Sequence, residues 1–166
     1  MNEAYLCLGG NLGNSFITFK EACGHIEQQV GDIKLRSSMY QSHAWGMDNA
    51  PDFYNQVIKI ETKLMPEELM LALLDIEKTL GRERKESGTS YQNRVIDIDV
   101  LFYKEDAIKT DTLEIPHPRL HLRKFVLEPL NEIAPNYIHP LLHKSVSELL
   151  ALCIDKGQIK KLEHAI

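Results

Sequence analysis

Cysteine is scarce in this chain of 166 residues: Cys7, Cys23 and Cys153 are all it has. Three is an odd number and no two stand at a metal-type spacing, so neither a disulfide framework nor a thiolate zinc site is expected. A reducing cytoplasmic compartment follows, with each thiol packed as a small hydrophobe. Long apolar runs are missing too. No stretch reaches 18 apolar residues, so no membrane span is expected. The N-terminus carries Glu3 and no extended apolar region, so it does not read as a signal peptide. Nor is positive charge in excess. Nineteen Lys+Arg stand against 24 Asp+Glu, a formal −5, which argues against general nucleic-acid binding. Small anions stay open, because a site needs only local positive charge. Neither G-x-x-x-x-G-K-[ST] nor G-x-G-x-x-G occurs, which removes the P-loop and the Rossmann fingerprint.

What is present is an ordinary globular balance, 43% apolar and 26% charged. Residues 1–166 read as one domain, able to bury roughly 68% of its unfolded surface without a staple. A short strand, Ala4–Leu8, runs into Gly9-Gly10-Asn11-Leu12-Gly13-Asn14. Asn14 or Ser15 can cap a helix whose apolar stripe is Phe16, Phe19, Cys23, Ile26 and Val30, with Gly31 at its C-terminal cap. Ile33, Leu35, Ser37 and Met39 alternate as a strand, 42–51 reads as a loop, and Phe53–Lys63 as another strand. Pro66, Glu67 and Glu68 open a second helix, striped by Leu69, Leu73, Ile76 and Leu80 and stopped by Gly81. A polar stretch, 82–93, precedes a strong strand, Val95–Tyr103. This order is the α+β, ferredoxin-like βαββαβ sheet covered by two helices on one face. The proline-rich C-terminal third is expected to be an irregular extension closing with a short helix near Ser145–Cys153.

The most informative segment is Arg94-Val95-Ile96-Asp97-Ile98-Asp99-Val100-Leu101-Phe102-Tyr103. Strand periodicity places Ile96, Ile98, Val100 and Phe102 on the helix-covered face. Asp97 and Asp99 then share the opposite face, about 6.6 Å apart at about 3.3 Å per residue. Two neighbouring carboxylates resist joint ionisation unless a cation sits between them, and a pair of Mg²⁺ ions suits such a set. Alternation alone would favour a solvated outer face. Asp is depleted in strands, however, and the arginines nearby tip the reading toward metal.

Those arginines lie in 82–94, where Arg82, Arg84, Lys85 and Arg94 face only Glu83 and Glu86, a local +2. Guanidinium groups grip phosphate in bidentate fashion, and carboxylate-held Mg²⁺ meets the same phosphates. A long polar loop of this kind can also act as a lid. A solvated cluster at a helix end is the competing reading. Phe53 and Asn55 share a strand face, so a ring and a carboxamide could read a flat heterocycle, with Phe125 after Arg123 as a second surface. Core packing is the competing reading for both rings, and packing onto the domain for the single tryptophan, Trp45. The pairs His117/His121 and His139/His143 have helical i, i+4 spacing, but Pro118 and Pro140 interrupt them, which argues against zinc. His117, between Pro116 and Pro118, reads instead as a fixed loop residue facing phosphate or ribose.

These elements, in this order, resemble the 6-hydroxymethyl-7,8-dihydropterin pyrophosphokinase family of folate biosynthesis. The likeness rests on Gly9-Gly10-Asn11-Leu12-Gly13, Pro51-Asp52-Phe53-Tyr54-Asn55 after Tyr40, Ile76-Glu77 and Gly81-Arg82-Glu83-Arg84. It continues through Arg94–Asp99, Ile115-Pro116-His117-Pro118, Arg123–Leu127 and Pro129–Pro135. The resemblance implies transfer of pyrophosphate from ATP to the pterin hydroxymethyl group, leaving AMP. It implies that Asp97 and Asp99 hold two Mg²⁺ ions, that Arg84 and Arg94 clamp phosphates, and that Arg82 closes from the loop. His117 and Arg123 would add nucleotide contacts, with Met70, Leu74, Tyr91 and Val100 near the base and ribose. Phe53 and Phe125 would sandwich the pterin, Asn55 would hydrogen-bond its edge, and Ser42, Ala44 and Trp45 would line its pocket. Gly10 stands where the family commonly has Ser, Tyr91 where Trp is frequent, and Leu74 lacks a polar side chain.

A monomer acting on these small molecules, with neither nucleic acid nor membrane as partner, is the expectation. Two other classes compete. A ferredoxin-like module binding single-stranded RNA through sheet aromatics would want a basic sheet face and no paired aspartates. An enzyme moving one phosphoryl group to another small alcohol differs from a pyrophosphokinase only through the family resemblance.

Overall fold

The computed structural model describes residues 1–43, 52–81 and 95–162. The chain runs β1 (Asn2–Gly10), α1 (Ser15–Gln29), β2 (Gly31–Arg36), β3 (Tyr40–Ser42), β4 (Phe53–Thr62), α2 (Pro66–Thr79) and β5 (Asp97–Tyr103). A small hairpin, β6 (Ile108–Lys109) and β7 (Glu114–Ile115), follows, then a 3₁₀ turn, Leu120–Leu122. The chain continues through α3 (Lys124–Ile133) and α4 (Val146–Leu152) to β8 (Ile159–Lys161). The main sheet has the order β5-β1-β4-β3-β8, with β2 also paired to β4. Its core β5-β1-β4-β2 is the antiparallel ferredoxin-like order that the element sequence predicts. One strand was expected over Ile33–Met39; the sheet uses two there, β2 and β3, both on β4.

The helices start where the side chains allow it. Asn14 caps α1 by accepting from the Ile17 N–H at 3.3 Å. Pro66 opens α2, and the Glu68 carboxylate accepts from the Met65 N–H at 2.9 Å. Phe19, Cys23 and Ile26 of α1, with Leu69, Leu73 and Ile76 of α2, bury against Ala4, Leu6, Leu8, Ile58 and Ile60 on one sheet face. Gly81 ends α2 with φ 98°, the left-handed geometry that a glycine takes without strain. Gly31 does not cap α1 as expected. It opens β2, where an added Cβ would lie 2.0 Å from the Glu61 carbonyl oxygen, so close backbone approach is what requires it.

Three further expectations are corrected. The segment after residue 115 is not irregular up to its last helix: α3 occupies Lys124–Ile133, with Pro129 inside it. Together with α4, whose first turn Ser145 caps through the Glu148 N–H, it covers the second sheet face. Val126, Leu127 and Leu130 of α3 and Val146 and Leu149 of α4 bury against Tyr5, Cys7, Val57, Leu101 and Phe102. The strict alternation of β5 also fails. Tyr5 pairs with Phe102 but Leu6 with Val100, so Leu101 is the extra residue of a β-bulge. Phe102 therefore joins the second core, and Tyr103 takes the place on the α1/α2 face that the pattern had given to Phe102. Finally, the face bearing Asp97 and Asp99 is not an open outer surface, because helices close its far half.

Candidate functional site

On that second face, residues of β5, β1 and β4 fall in rows. Asp97 lies opposite Gly9 and Gly9 opposite Asn55; the next row is Asp99, Cys7 and Val57. Beyond the bulge the row is Phe102, Tyr5 and Lys59. The first row, with Asp99 and Cys7 of the second, borders a cavity of 720 Å³, within the range of small-molecule sites. At about 4.8 Å per strand, the Asp97 and Asn55 backbones are about 10 Å apart across Gly9. Gly9 has no side chain for a reason: its Cβ would sit 2.8 Å from Asn55 Nδ2. Asn55 is 6% exposed, and its Nδ2 donates to the Leu8 carbonyl at 3.5 Å.

The carboxylate end is built from three elements. Asp97 and Asp99 are half-buried on the cavity wall. Between them, the Ile98 N–H donates to Oε2 of Glu77 at 3.2 Å, so α2 reaches into the strand that carries the pair. Glu77 is 2% exposed and lines the same cavity. Burial, then the charge of Asp99, push the Cys7 thiol up from its ordinary range, which leaves it protonated and unreactive. His117 is tied to the same strand by its N–H on the Leu101 carbonyl at 3.1 Å. Its Nδ1 accepts from the Arg119 N–H at 3.2 Å. Burial, followed by the neighbouring Arg123 charge, lowers its pKa to about 4, against an opposing pull from Asp97. At neutral pH His117 is thus an uncharged ring with Nε2–H as its donor.

The other end is apolar. Phe53 of β4 and Phe125 of α3 are both half-buried and line the cavity; neither is sealed in a core. Arg123 places its guanidinium carbon 5.6 Å from the centroid of the Phe125 ring. Ser42 of β3 also lines the cavity, and Met70 and Leu74 of α2 with Val100 of β5 belong to its apolar lining. Every sequence-expected site residue that the structure describes lies on this one cavity: Ser42, Phe53, Asn55, Met70, Leu74, Asp97, Asp99, Val100, His117, Arg123 and Phe125. Ala44, Trp45, Arg82, Arg84, Tyr91 and Arg94 lie outside the described residues.

Two contributors carried no expected role. Glu77 stands four residues after Leu73 and eight after Leu69, on the apolar stripe of α2, and a carboxylate in that register signals a buried acceptor. The stretch 155–159 has no motif of its own and enters the cavity only through tertiary structure. As for the histidines, His121 and His139 are ring neighbours at 6.5 Å. No group of three potential His, Cys, Asp or Glu ligands among the described residues could hold a metal ion. No helix among them is long and apolar enough to cross a membrane.

With this geometry in hand, comparison with known proteins is informative. The family model for 7,8-dihydro-6-hydroxymethylpterin-pyrophosphokinase (HPPK) matches residues 5–135. The 2-amino-4-hydroxy-6-hydroxymethyldihydropteridine pyrophosphokinase of Aquifex aeolicus is 40% identical over 148 residues, 89% of this chain and 90% of that protein. A folic acid synthesis protein of Dictyostelium discoideum is 41% identical over 97% of this chain, which spans 24% of that longer protein. Among solved structures, the HPPK-DHPS protein of Plasmodium falciparum is similar with a TM-score of 0.73 at 17% identity. That likeness, which concerns the fold alone, covers 91% of this chain and 43% of the solved one.

Proposed function

The chain belongs to the 7,8-dihydro-6-hydroxymethylpterin-pyrophosphokinase family, and from that membership we propose that it transfers pyrophosphate from ATP to the hydroxymethyl group of 6-hydroxymethyl-7,8-dihydropterin, releasing AMP. The observation that carries the reading is one sheet face on which half-buried Asp97 and Asp99 share a cavity with Asn55, Phe53 and Phe125. The Asp97 and Asn55 backbones stand about 10 Å apart across Gly9, which suits a polyphosphate at one end and a flat heterocycle at the other.

Asp97 and Asp99 are hard oxygen donors, and two carboxylates with open positions fit Mg²⁺, which completes its shell with water and substrate phosphates. Two such ions, when bound, supply charge neutralisation on the triphosphate. Glu77 holds the backbone between the two aspartates and so fixes where they point. Arg84 and Arg94 clamp phosphates, Arg82 closes from its loop, and Arg123 faces the nucleotide beside Phe125. Neutral His117 donates through Nε2 without adding positive charge to that end. Asn55 reads the pterin edge, Phe53 and Phe125 stack on it, and Ser42, Ala44 and Trp45 border it. Met70, Leu74, Tyr91 and Val100 surround base and ribose. The hydroxymethyl oxygen attacks the β-phosphorus in line; a new oxygen–phosphorus bond forms, the bond to the α-phosphate oxygen breaks, and AMP departs. The chain's work is positioning and charge compensation, and no side chain stands out as a general base.

Residues 1–166 act, in this reading, as one domain, a monomer in the cytoplasm. The three free cysteines suit a reducing compartment. Incubation with ATP, Mg²⁺ and hydroxymethyldihydropterin, followed by identification of the nucleotide product, tests the activity. AMP supports it, while ADP or no turnover defeats it.

A further inference from the structure

The C-terminal segment 155–161 lies beyond the residues that the family model matches, yet it forms one side of the cavity. Gly157, Gln158 and Ile159 line it together with Ser42 and Phe125. The segment is strapped to α3 at both ends. At the far end β8 pairs with β3, with Ile159 opposite Ser42, and Lys161 Nζ lies 3.6 Å from the Glu132 carboxylate in the last turn of α3. At the near end Asp155 fastens it. Asp155 Oδ2 accepts from the Lys124 N–H at 3.1 Å, and Oδ1 from the Gly157 N–H at 2.8 Å.

The position of that fastening matters. Lys124 is the first residue of α3, and Arg123, its N-cap residue, makes no side-chain capping bond. Helix-start N–H groups need acceptors from elsewhere, and a carboxylate there is also favoured by the helix dipole. Asp155 supplies both from a distant part of the chain. The residues on either side of its partner are Arg123 and Phe125, and both line the cavity. Strand pairing fixes 159–161, and the Asp155 carboxylate ties 155–158 to the start of α3.

We propose that Asp155 is a positioning residue for substrate binding: it fastens segment 155–158 as a cavity wall beside Phe125, and that wall governs the grip on the pterin. The proposal rests on the reading that this cavity takes a pterin. Full-length wild type, Asp155→Ala and Asp155→Asn are to be titrated calorimetrically with hydroxymethyldihydropterin in the presence of Mg²⁺ and a non-hydrolysable ATP analogue. The analogue alone is titrated in parallel, and KM and kcat are measured. Asp155→Ala weakens pterin binding and raises pterin KM fivefold or more, while the analogue's Kd and kcat at saturating pterin stay within threefold. Asp155→Asn, which keeps one oxygen acceptor, falls between, and it decides the question alone if the alanine variant does not fold. Amide exchange at Lys124 and Gly157 accelerates while the last turn of α3 is unchanged. A pterin Kd shifted less than fivefold, or equal weakening of both ligands, overturns the wall. A wild type that binds pterin beside an unaffected variant overturns this inference alone; a wild type that binds none overturns the functional reading with it.

Discussion

The two faces of the main sheet are made of alternate residues of the same strands, yet they serve opposite ends. Toward α1 and α2, β1, β4 and β5 present Ala4, Leu6, Leu8, Ile58, Ile60 and Ile98, and the layer is an apolar core that meets the cavity along β5, where Met70, Leu74 and Val100 line it. Toward α3 and α4 the same strands present a closed apolar half, Tyr5, Val57 and Phe102, and an open polar half, Asp97, Asp99 and Asn55. Stability is thus invested in one face, while the other gives up part of its burial to keep a cavity. Because side-chain direction alternates, a substitution on one face should be nearly silent for the property that the other serves.

The comparison can be broken most forcefully at the aspartates. Asp97→Ala or Asp99→Ala should lower turnover by about 10³-fold or more, the order expected when transition-state charge compensation is removed. The melting temperature should stay within a few degrees, because both residues are half-buried at a cavity. Steady-state assays and calorimetric melting check this; wild-type-like transfer by either variant would sink the metal assignment. On the closed face the effects should reverse. Phe19→Ala should cost about 3–5 kcal/mol of stability, as large-to-small changes in buried aromatics do, with kcat per folded molecule unchanged. Chemical denaturation and active-site titration separate the two quantities.

A smaller effect is expected from Arg82→Ala, which should slow turnover by about 10-fold to 100-fold while ATP affinity changes much less, since a closing element acts late. Equal losses in rate and binding would count against that role. The smallest concerns pH on the helix-covered half of the second face. His139 is buried against Phe102, and its Nδ1 accepts from the Leu141 and Leu142 N–H groups at 3.1 and 3.0 Å. Burial first, then His121 and His143, hold its pKa below the ordinary value. Below about pH 6.5 the unfolded chain therefore binds a proton that the folded chain refuses, so stability falls as pH drops through that value. Replacement by asparagine, which keeps an acceptor, should flatten the decline by a few degrees of melting temperature between pH 7 and 5. Parallel melting curves for the two proteins decide it.

Much of this was legible in the residues, for local reasons. The stripe of α2, with Pro66 at its start and Gly81 past its end, follows from propensity and capping alone. Asp97 and Asp99 announce themselves because strands seldom carry such residues. What stayed hidden depends on distant parts of the chain. Pro129 disguises α3, because the proline density of this stretch masks the apolar spacing of Val126, Leu127 and Leu130. Gly31 looked like a helix cap, although the demand for it comes from Glu61, thirty residues on. Glu77 sits on the apolar stripe of α2, but its register does not name its partner, because the Ile98 N–H comes from another element. Nothing in 155–159 advertises chemistry, since its place comes from where a carboxylate meets another element's first turn.

The single extra residue in β5 has a further meaning. Were Leu101 paired in strict alternation, Phe102 would turn toward α1 and α2, and Tyr103 would take its place on the aspartates' own face, shifted one residue along the strand. With the bulge, the strand behaves like a key cut to two depths on one side: shallow teeth at the start, where ligands enter, and deep ones at the end, where the lock is solid. The two lengths are cut separately. Residues beyond Leu101 can change to suit the core while Asp97 and Asp99 keep their coordinates, because their register with Gly9 and Cys7 is set before the bulge is reached.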